Sequence, residues 1–274
     1  MKYYVVSDVH SYFDILKNTL QEKGFFDDTD PHKLIVCGDL MDRGSGSREL
    51  EKFILDLMEK DEVILIRGNH EVLFIDLVDN FIDNIISIYC GYSHHNSIGT
   101  VKTAFDLTNV NINDIGEFEQ TFDRACKNTD FYKKIIPACV NYFETKKYIF
   151  VHGGIPCQSK DYRSHFKYIP DWRNASDKLW DKARWLNGML VGIKHKVIEP
   201  DKTIVCGHWH TSWARMYFDN EKEFSHVYSN FDPYYADGII AIDACTAFSN
   251  QINCIVIEDE PLRSLIYILK TFHF

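Results

Sequence analysis

The chain has 274 residues, 45% of them apolar and 14% aromatic, with a formal net charge of −10. An acidic balance without a basic stripe argues against a nucleic-acid binder or a nuclease, because phosphate backbones bind basic surfaces. Neither a signal-peptide core nor an apolar run as long as a membrane span is found, so we expect a cytoplasmic protein with no membrane or nucleic-acid partner.

The first part of the chain alternates short apolar runs with amphipathic segments. Predicted strands cover residues 2–7, 33–37 and 62–66, and predicted helices cover residues 12–22 and 48–60. The strands are followed by Asp8, Asp39 and Asn69, which lie 31 and 30 positions apart. Alternating strands and helices predict a parallel sheet, which holds its ligands beyond the carboxyl ends of the strands. We therefore expect these three side chains to meet at one sheet edge.

The rest of the chain is less regular. We expect a helical cap insertion at about residues 72–146, a fourth strand over 147–151, an aromatic rim at about 156–199 and a fifth strand over 203–206. Candidate antiparallel strands follow at 224–228, 238–243, 252–257 and 264–269, and these would form a second sheet against the first. No linker or low-complexity tract interrupts the sequence, which favours a single domain over residues 1–274.

Side chains that can bind metal ions follow all five predicted core strands. They are Asp8, His10, Asp39, Asn69, His152, His208 and His210. Carboxylate, imidazole and amide oxygen together suit divalent ions such as Mn²⁺, Fe²⁺, Zn²⁺ or Co²⁺. Any one of these groups alone would be read as a surface loop. Five in the same structural context predict a metal site.

Five motifs, in this order, resemble the signature of the calcineurin-like metallophosphoesterases. They are Asp8-Val9-His10, Gly38-Asp39-Leu40-Met41-Asp42-Arg43-Gly44, Gly68-Asn69-His70-Glu71, His152-Gly153-Gly154 and Gly207-His208-Trp209-His210. The second and third motifs are most similar to the serine/threonine phosphatase (PPP) branch. The resemblance implies an α/β fold with a β-sandwich of two mixed sheets flanked by helices, in a four-layer αββα order. It also implies two divalent metal ions, for which Mn²⁺ is our first choice.

The resemblance further implies roles for individual residues. The first metal would be held by Asp8, His10, Asp39 and His210, and the second by Asn69, His152 and His208, with Asp39 shared. A water between two cations loses a proton readily and would attack phosphorus as hydroxide. Arg43 and Asn69 would contact the phosphate, and a second phosphate-binding arginine is expected, for which Arg184 is the candidate. His70 would protonate the departing alkoxide, and Asp42 would orient His70.

We therefore predict a phosphate monoester hydrolase, most specifically a serine/threonine protein phosphatase acting on phosphoproteins. The alternative enzyme is a symmetrical dinucleoside tetraphosphatase, because Gly207-His208-Trp209 resembles that sister group. The alternative of another class is a non-catalytic scaffold that keeps the fold. The filled metal positions and the Asp42/His70 pair argue against the scaffold.

Several other residues are predicted to have structural roles. The pair His94-His95 sits among Gly, Ser and Asn and is predicted to be a solvated loop, not a metal site. The eight cysteines form no Cys-x-x-Cys pair, which predicts buried thiols and no disulfide framework. Cys37 and Cys206 are interpreted as packing residues and not as a redox switch. Arg67 is predicted to form a structural salt bridge.

Overall fold

The computed structural model describes residues 1–80, 87–88, 90–110, 118–159, 165–224 and 229–261, and only the backbone of residues 118–121. The predicted strand at 264–269, and all but the first residue of the one at 224–228, lie outside the described residues. In the described part of the chain, no helix is both long enough and apolar enough to cross a bilayer.

The first sheet is built from the predicted β-α-β-α-β run. It contains β1 (Lys2–Val6), β2 (His32–Cys37) and β3 (Val63–Ile66), connected by α1 (Phe13–Glu22) and α2 (Ser47–Glu59). Strand β2 pairs in parallel with both β1 and β3. Each element lies within one residue of its prediction at either end. The parallel sheet expected from the sequence is therefore confirmed.

Helices follow the first sheet. They are α3 (Asn69–Asp79), α4 (His94–Ile98), α5 (Thr100–Thr108), α6 (Phe118–Asn128) and a π-helix (Phe131–Ile135) that continues into α7 (Ile136–Ala138). Buried side chains of α3 and α5, such as Phe74, Leu77 and Ala104, belong to the same apolar cluster as the outer face of the first sheet. These helices thus form an outer layer.

The second sheet has the strand order β4-β5-β8-β10-β9. Its strands are β4 (Phe143–Glu144), β5 (Tyr148–Phe150), β8 (Thr203–Cys206), β9 (Tyr234–Ala236) and β10 (Ile239–Ala241). Between β5 and β8 lie β6 (Cys157–Gln158), β7 (Lys167–Tyr168), a 3₁₀ turn (Trp172–Asn174), α8 (Asp177–Arg184) and a second π-helix (Leu190–Lys194). After β8 comes α9 (Thr211–Asp219), and after β10 come α10 (Thr246–Ser249) and β11 (Ile255–Glu258).

Two predictions about the late strands are wrong. Strand β11, from the predicted strand at 252–257, does not join the second sheet but pairs antiparallel with β1 at the edge of the first. Strand β10, from the predicted strand at 238–243, is antiparallel to β9 but parallel to β8. Both sheets are therefore mixed, as the implied fold class requires.

The two sheets pack face to face around a shared apolar layer. Alternation along β1 points Tyr3 and Val5 into this layer, where they meet Phe150 and Val205 of the second sheet. Side chains of opposite parity on the first sheet pack against helices α1 to α3, and those on the second sheet pack against Trp172, Trp180 and α8. The order is helix, sheet, sheet, helix, so the four-layer αββα fold is confirmed.

Candidate active site

The predicted metal ligands lie on turns that leave the carboxyl ends of strands in both sheets. Asp8, His10, Asp39 and His208 all have positive φ angles, between 50° and 67°. Such a backbone costs about 1–3 kcal/mol for each non-glycine residue and is kept where surrounding structure holds it. Here the turns after β1 and β2 hold each other, since the amides of Asp8 and His10 donate to the carbonyls of Gly38 and Asp39.

Asp39 stands at the centre of the site, where its side chain is almost fully buried. Its Oδ1 accepts a hydrogen bond from the His70 amide at 2.9 Å and lies 3.3 Å from His152 Nε2. Its Oδ2 lies 3.8 Å from His10 Nε2 and 3.8 Å from His70 Nε2. Each carboxylate oxygen thus faces a different set of nitrogen atoms, which is the arrangement required of a carboxylate that bridges two cations.

One group of donor atoms lies where the two sheets meet. Ligand atoms of Asp39, His152 and His208 fall within 4.8 Å of one another, and Asn69 Oδ1 is 2.8 Å from His152 Nε2. His152 donates its Nδ1–H to the carbonyl of Cys37 on β2 at 2.8 Å. That bond turns Nε2 towards the other donors, as is usual for a metal-binding histidine.

A second group shares Asp39 and lies on the first sheet. Ligand atoms of His10, Asp39 and His70 fall within 4.8 Å of one another. His10 donates Nδ1–H to the carbonyl of Met41 at 3.0 Å, which leaves Nε2 facing the site. Asp8, His10, Asp39 and His70 all line one cavity. The Oδ2 atom of Asp8 accepts hydrogen bonds from Ser7 Oγ at 2.6 Å and from the His208 amide at 3.0 Å.

His210 lies in the cavity wall but apart from both groups. Its Nδ1 is 3.1 Å from the Glu223 carboxylate, and its side chain is partly exposed. The structure therefore brings six of the seven predicted ligands together directly or through one shared neighbour, and it places His210 in the wall of the same cavity.

The charge states of the histidines fit a cation site. Burial lowers the pKa of His10 and of His208 to about 3, so both are neutral imidazoles with a lone pair available. Burial opposes protonation of His152, but the Asp39 carboxylate raises the pKa of His152 to about 10. A point that attracts a proton this strongly would also attract a divalent cation. The donor set thus fits two divalent ions.

His70 and Asp42 form a buried pair next to this centre. His70 donates Nδ1–H to Asp42 Oδ2 at 2.6 Å, which leaves Nε2 on the cavity side near Asp39. Thr100 and Thr103 of α5 donate to the two Asp42 oxygens at 2.8 and 2.7 Å. Burial opposes the charge on His70, but Asp39 and Asp42 raise the pKa of His70 above its ordinary value. The pair is thus arranged to hold a proton at Nε2.

The two arginines expected to bind phosphate lie in different places. Arg43 is exposed, has a φ of 63° and lines the cavity of about 160 Å³ that contains Asp8, Asp39 and His70. Arg184 is buried, donates to Asn141 Oδ1 at 2.6 Å and pairs with Asp181. It lines a different cavity together with Arg67. The structure brings Arg43, but not Arg184, to the cavity of the predicted site.

Two interpretations made from the sequence change with the structure. The pair His94-His95 is not a solvated loop but the start of α4, where His95 is buried and its Nε2 is 3.2 Å from Asp76. His94 lines the cavity. Arg67 donates to the carbonyl of Ile136 at 3.1 Å, a backbone contact in place of the predicted salt bridge.

Two acidic residues contribute more than the sequence indicated. Glu71 accepts hydrogen bonds from the amides of Gly68, Asp39 and Leu40 at 2.6, 3.1 and 2.9 Å, and so joins the second and third motifs. Asp243 lines the cavity, and burial beside Asp8 raises its pKa to about 7. Asp243 ends the strand predicted at 238–243, so the rule that ligands follow strand ends could have found it.

All eight cysteines are unpaired. Cys37 and Cys206 are buried in apolar clusters of the two sheets. Burial raises the pKa of the Cys206 thiol to about 12. A thiol in this environment is inert, which agrees with a packing role.

The four-layer αββα fold and a carboxylate shared between two groups of donor atoms define a class of protein, the metal-dependent phosphoesterases. The family model of the calcineurin-like phosphoesterases matches residues 1–235. The chain belongs to that family and is a metallophosphoesterase enzyme. The family uses a centre of two metal ions, and the two groups of donor atoms in this chain could bind metal ions.

Individual relatives differ in the activity that their names state. Serine/threonine-protein phosphatase 2 of Salmonella typhimurium is 27% identical over 205 residues, which is 75% of this chain and 78% of that protein. A symmetrical bis(5'-nucleosyl)-tetraphosphatase of Buchnera aphidicola is 33% identical over 91 residues, 33% of this chain and 28% of that protein. Both are phosphate-ester or phosphoanhydride hydrolases by name.

Among solved structures, the cold-active protein-tyrosine phosphatase of a psychrophilic Shewanella species has the same fold. It superposes with a TM-score of 0.52 at 16% identity, over 94% of this chain and 75% of that chain. At this identity the likeness concerns the fold alone.

Proposed function

We propose that this enzyme is a serine/threonine protein phosphatase that hydrolyses phosphate monoesters with two metal ions. The observation that carries the proposal is the His70–Asp42 pair, whose free Nε2 faces the shared carboxylate of Asp39. An acid placed there serves an alkoxide leaving group, which needs a proton as the ester bond breaks. The long match to the Salmonella phosphatase supports the choice of a phosphoprotein substrate.

Seven residues would hold the two ions. Asp8, His10, Asp39 and His210 would bind one, and Asn69, His152 and His208, with Asp39 shared, would bind the other. When bound, the ions supply Lewis acidity and an activated water. We expect Mn²⁺ as the native ion, since imidazole, carboxylate and amide donors suit it.

The remaining chemistry belongs to side chains of this protein. Arg43 is exposed in the cavity, so its guanidinium can bind two phosphate oxygens with paired N–H groups, and Asn69 lines the same cavity and offers a further contact. His70 delivers its Nε2 proton to the leaving oxygen. Asp42 accepts the Nδ1–H of His70, which fixes the tautomer and the direction of the ring. Thr100 and Thr103 hold Asp42.

The domain arrangement expected from the sequence is part of this proposal. We propose one domain over residues 1–274, with a cap insertion at about 72–146 and an aromatic rim at about 156–199. His94 and Ile98 of α4, which line the cavity, support the cap. Trp185, which also lines the cavity, supports the rim. Trp172 and Trp180, in contrast, are core residues of the second sheet's outer cluster.

A symmetrical dinucleoside tetraphosphatase is the second candidate. The Buchnera relative supports it, although the match is limited to 91 residues. The position of Arg184 also favours this candidate. A serine/threonine phosphatase was expected to have a second phosphate-binding arginine in the cavity, and Arg184 does not line it.

The test is a comparison of substrates on purified enzyme supplied in turn with Mn²⁺, Co²⁺, Ni²⁺ and Zn²⁺. We expect turnover of p-nitrophenyl phosphate with at least Mn²⁺, and a higher kcat/KM for a phosphoserine peptide than for diadenosine tetraphosphate. A strong preference for the nucleotide would replace the first candidate by the second. A protein that binds the ions but turns over neither substrate would be a scaffold.

A further inference from the structure

A second cavity adjoins the candidate active site on the side of α8. Its volume is about 800 Å³, in the range of sites that enclose a sizeable ligand, and Trp185 lines both cavities. We call it the Trp185 groove and define it by Lys167, Lys178, Leu179, Lys182, Trp185 and Leu186. The two cavities thus share one lining residue, Trp185.

Trp185 lies between the two cavities and exposes a large face of its side chain. The side chain is 51% exposed, and its ring meets the His208 ring edge-on with centroids 5.7 Å apart. An exposed indole is a rigid apolar contact that loses little conformational entropy on binding. Whatever extends from a phosphate bound at the metal ligands towards α8 must pass over this ring.

The walls of the groove beyond Trp185 are basic. Lys178, Lys182 and Trp185 are spaced i, i+4 and i+7. The two lysines therefore lie on one face of α8, and Trp185, the residue that caps the C-terminus of α8, continues that face. Lys167 on β7 is a third exposed lysine in the lining. Asp181 is the one carboxylate among the described lining residues, and Arg184 pairs with it. Lys182 has a contact of its own, so Lys167 and Lys178 are the lysines offered to a ligand. A basic groove stands out in a chain whose net charge is −10.

We propose that the Trp185 groove binds the segment of a substrate protein next to its phosphorylated residue, and that this segment carries acidic side chains beside an apolar one. The proposal rests on the proposed function and names the substrate class. The apolar side chain would pack on Trp185 and Leu186. Carboxylates further along the segment would lie near Lys167 and Lys178, where complementary charge favours binding of the correct partner.

The position of the lysines favours a peptide over a nucleotide. The lysines line the groove but not the metal-site cavity. A nucleotide carries its charge on phosphates, which would lie at the metal ligands on the near side of Trp185. The lysines would then face an uncharged base and sugar. A peptide can carry charge along its whole length, and so can place it opposite these lysines.

The experiment uses two phosphoserine peptides of identical length, with glutamates flanking the phosphorylated residue in one and glutamines in the other. We expect the metal-loaded enzyme to show about a three- to tenfold higher kcat/KM for the glutamate peptide, as two exposed ion pairs provide. The preference should fall as ionic strength rises. The ratio of two kcat/KM values on one preparation cancels any difference in folding or metal loading.

The double variant Lys167→Glu/Lys178→Glu should abolish or invert the preference, and Lys167→Gln/Lys178→Gln should remove it without inversion. The matched control Lys17→Glu/Lys60→Glu makes the same change of charge on exposed positions of α1 and at the end of α2, and should keep the preference.

Phosphopeptide turnover without any preference, or a preference that the double variant keeps, would overturn the groove inference and leave the proposed function intact. A larger effect of the double variant on diadenosine tetraphosphate than on the peptides would make the groove a nucleotide site. Turnover of p-nitrophenyl phosphate without turnover of either peptide would overturn both proposals.

Discussion

At the scale of the residue, the active site depends on side chains that only a constrained backbone can deliver. Asp39 has a φ of 54°, and its amide donates to Glu71. This conformation lets one carboxylate present its two oxygens to two groups of donors. Strain of this kind is stable only when neighbouring turns hold it. Substitutions in the turns should therefore affect metal binding before they affect the fold.

Replacing the proposed acid tests the assignment of His70. We expect His70→Asn to lower kcat for a phosphoserine peptide by about 10²–10⁴-fold, because no group would protonate the leaving oxygen. Metal content, measured by plasma mass spectrometry, should stay near that of the wild type. His70 also belongs to one group of donor atoms, so loss of metal from this variant would show that His70 is a ligand.

Neighbouring glycines in the fourth motif offer a matched pair. A Cβ at Gly153 would lie 2.5 Å from the carbonyl oxygen of Arg184 and 2.6 Å from that of Ala183, whereas at Gly154 the nearest atoms, on Leu186, are 3.6 Å away. We expect Gly153→Ala to destabilise the fold by about 1–3 kcal/mol and to lower metal content, since His152 precedes it. Gly154→Ala should change neither. Thermal unfolding and metal analysis check both, and equal effects would contradict the packing argument.

At the scale of the element, helix α5 acts on the site without entering the metal centre. Its residues Thr100 and Thr103 are buried and donate to both oxygens of Asp42. A carboxylate held from two sides cannot rotate, so the direction of the His70 ring is set by α5. The sequence predicted helices in this region but gave no sign of this contact, because the two threonines are 58 and 61 positions from Asp42.

The variant Thr100→Val/Thr103→Val tests this positioning. We expect kcat to fall about tenfold with little change in KM, because Asp42 would no longer hold the His70 ring in one direction. Thr100→Ser/Thr103→Ser should restore kcat, because serine keeps the donors. Thr108→Val on the same helix removes a bond to the Ala104 carbonyl and is the control. An unchanged kcat in the first variant would show that Asp42 does not need these donors.

At the scale of the whole molecule, stability depends on charged groups far from the catalytic chemistry. Glu144 on β4 accepts from Arg173 at 2.5 and 2.9 Å and from Lys202 at 2.5 Å, and Arg173 also pairs with Glu199 at 2.9 Å. Burial opposes the charge on Glu144, but the bonds from Arg173 and Lys202 outweigh it and lower the pKa of Glu144. These contacts connect the edge of the second sheet to the segments between β7 and β8.

The lowered pKa predicts a pH dependence with a definite sign. A carboxyl whose folded pKa lies below its unfolded value stabilises the fold above the unfolded pKa, near 4.3, and loses that effect as pH falls through the folded pKa. We expect Glu144→Gln to lower stability at pH 7 by about 2 kcal/mol. The difference from wild type should shrink below pH 4. Thermal unfolding across pH 3–7 measures this, with the exposed Glu49→Gln as control. A difference independent of pH would contradict the argument.

The sequence predicts the local pattern better than the distant pairing. Hydrophobic periodicity marks where strands end, so the position of each polar motif after a strand could be predicted. The early strands and helices also lie where periodicity predicts them. Periodicity does not select a partner strand, so it could not show that Ile255–Glu258 pairs with the N-terminal strand. The direction of the Arg184 side chain was equally unpredictable, because Asn141 and Asp181 determine it after the chain has folded.

The division of the proposed metal ligands between two sheets has a consequence for biosynthesis. Asp8, Asp39 and Asn69 follow strands of the first sheet, whereas His152 and His208 follow strands of the second. The two sets of side chains meet at Asp39. A ribosome would therefore have to synthesise most of the chain before either ion found its full coordination. Each bound ion would then connect residues of the two sheets. Metal starvation in the cell would accordingly leave a protein that opens along that seam and is exposed to proteases.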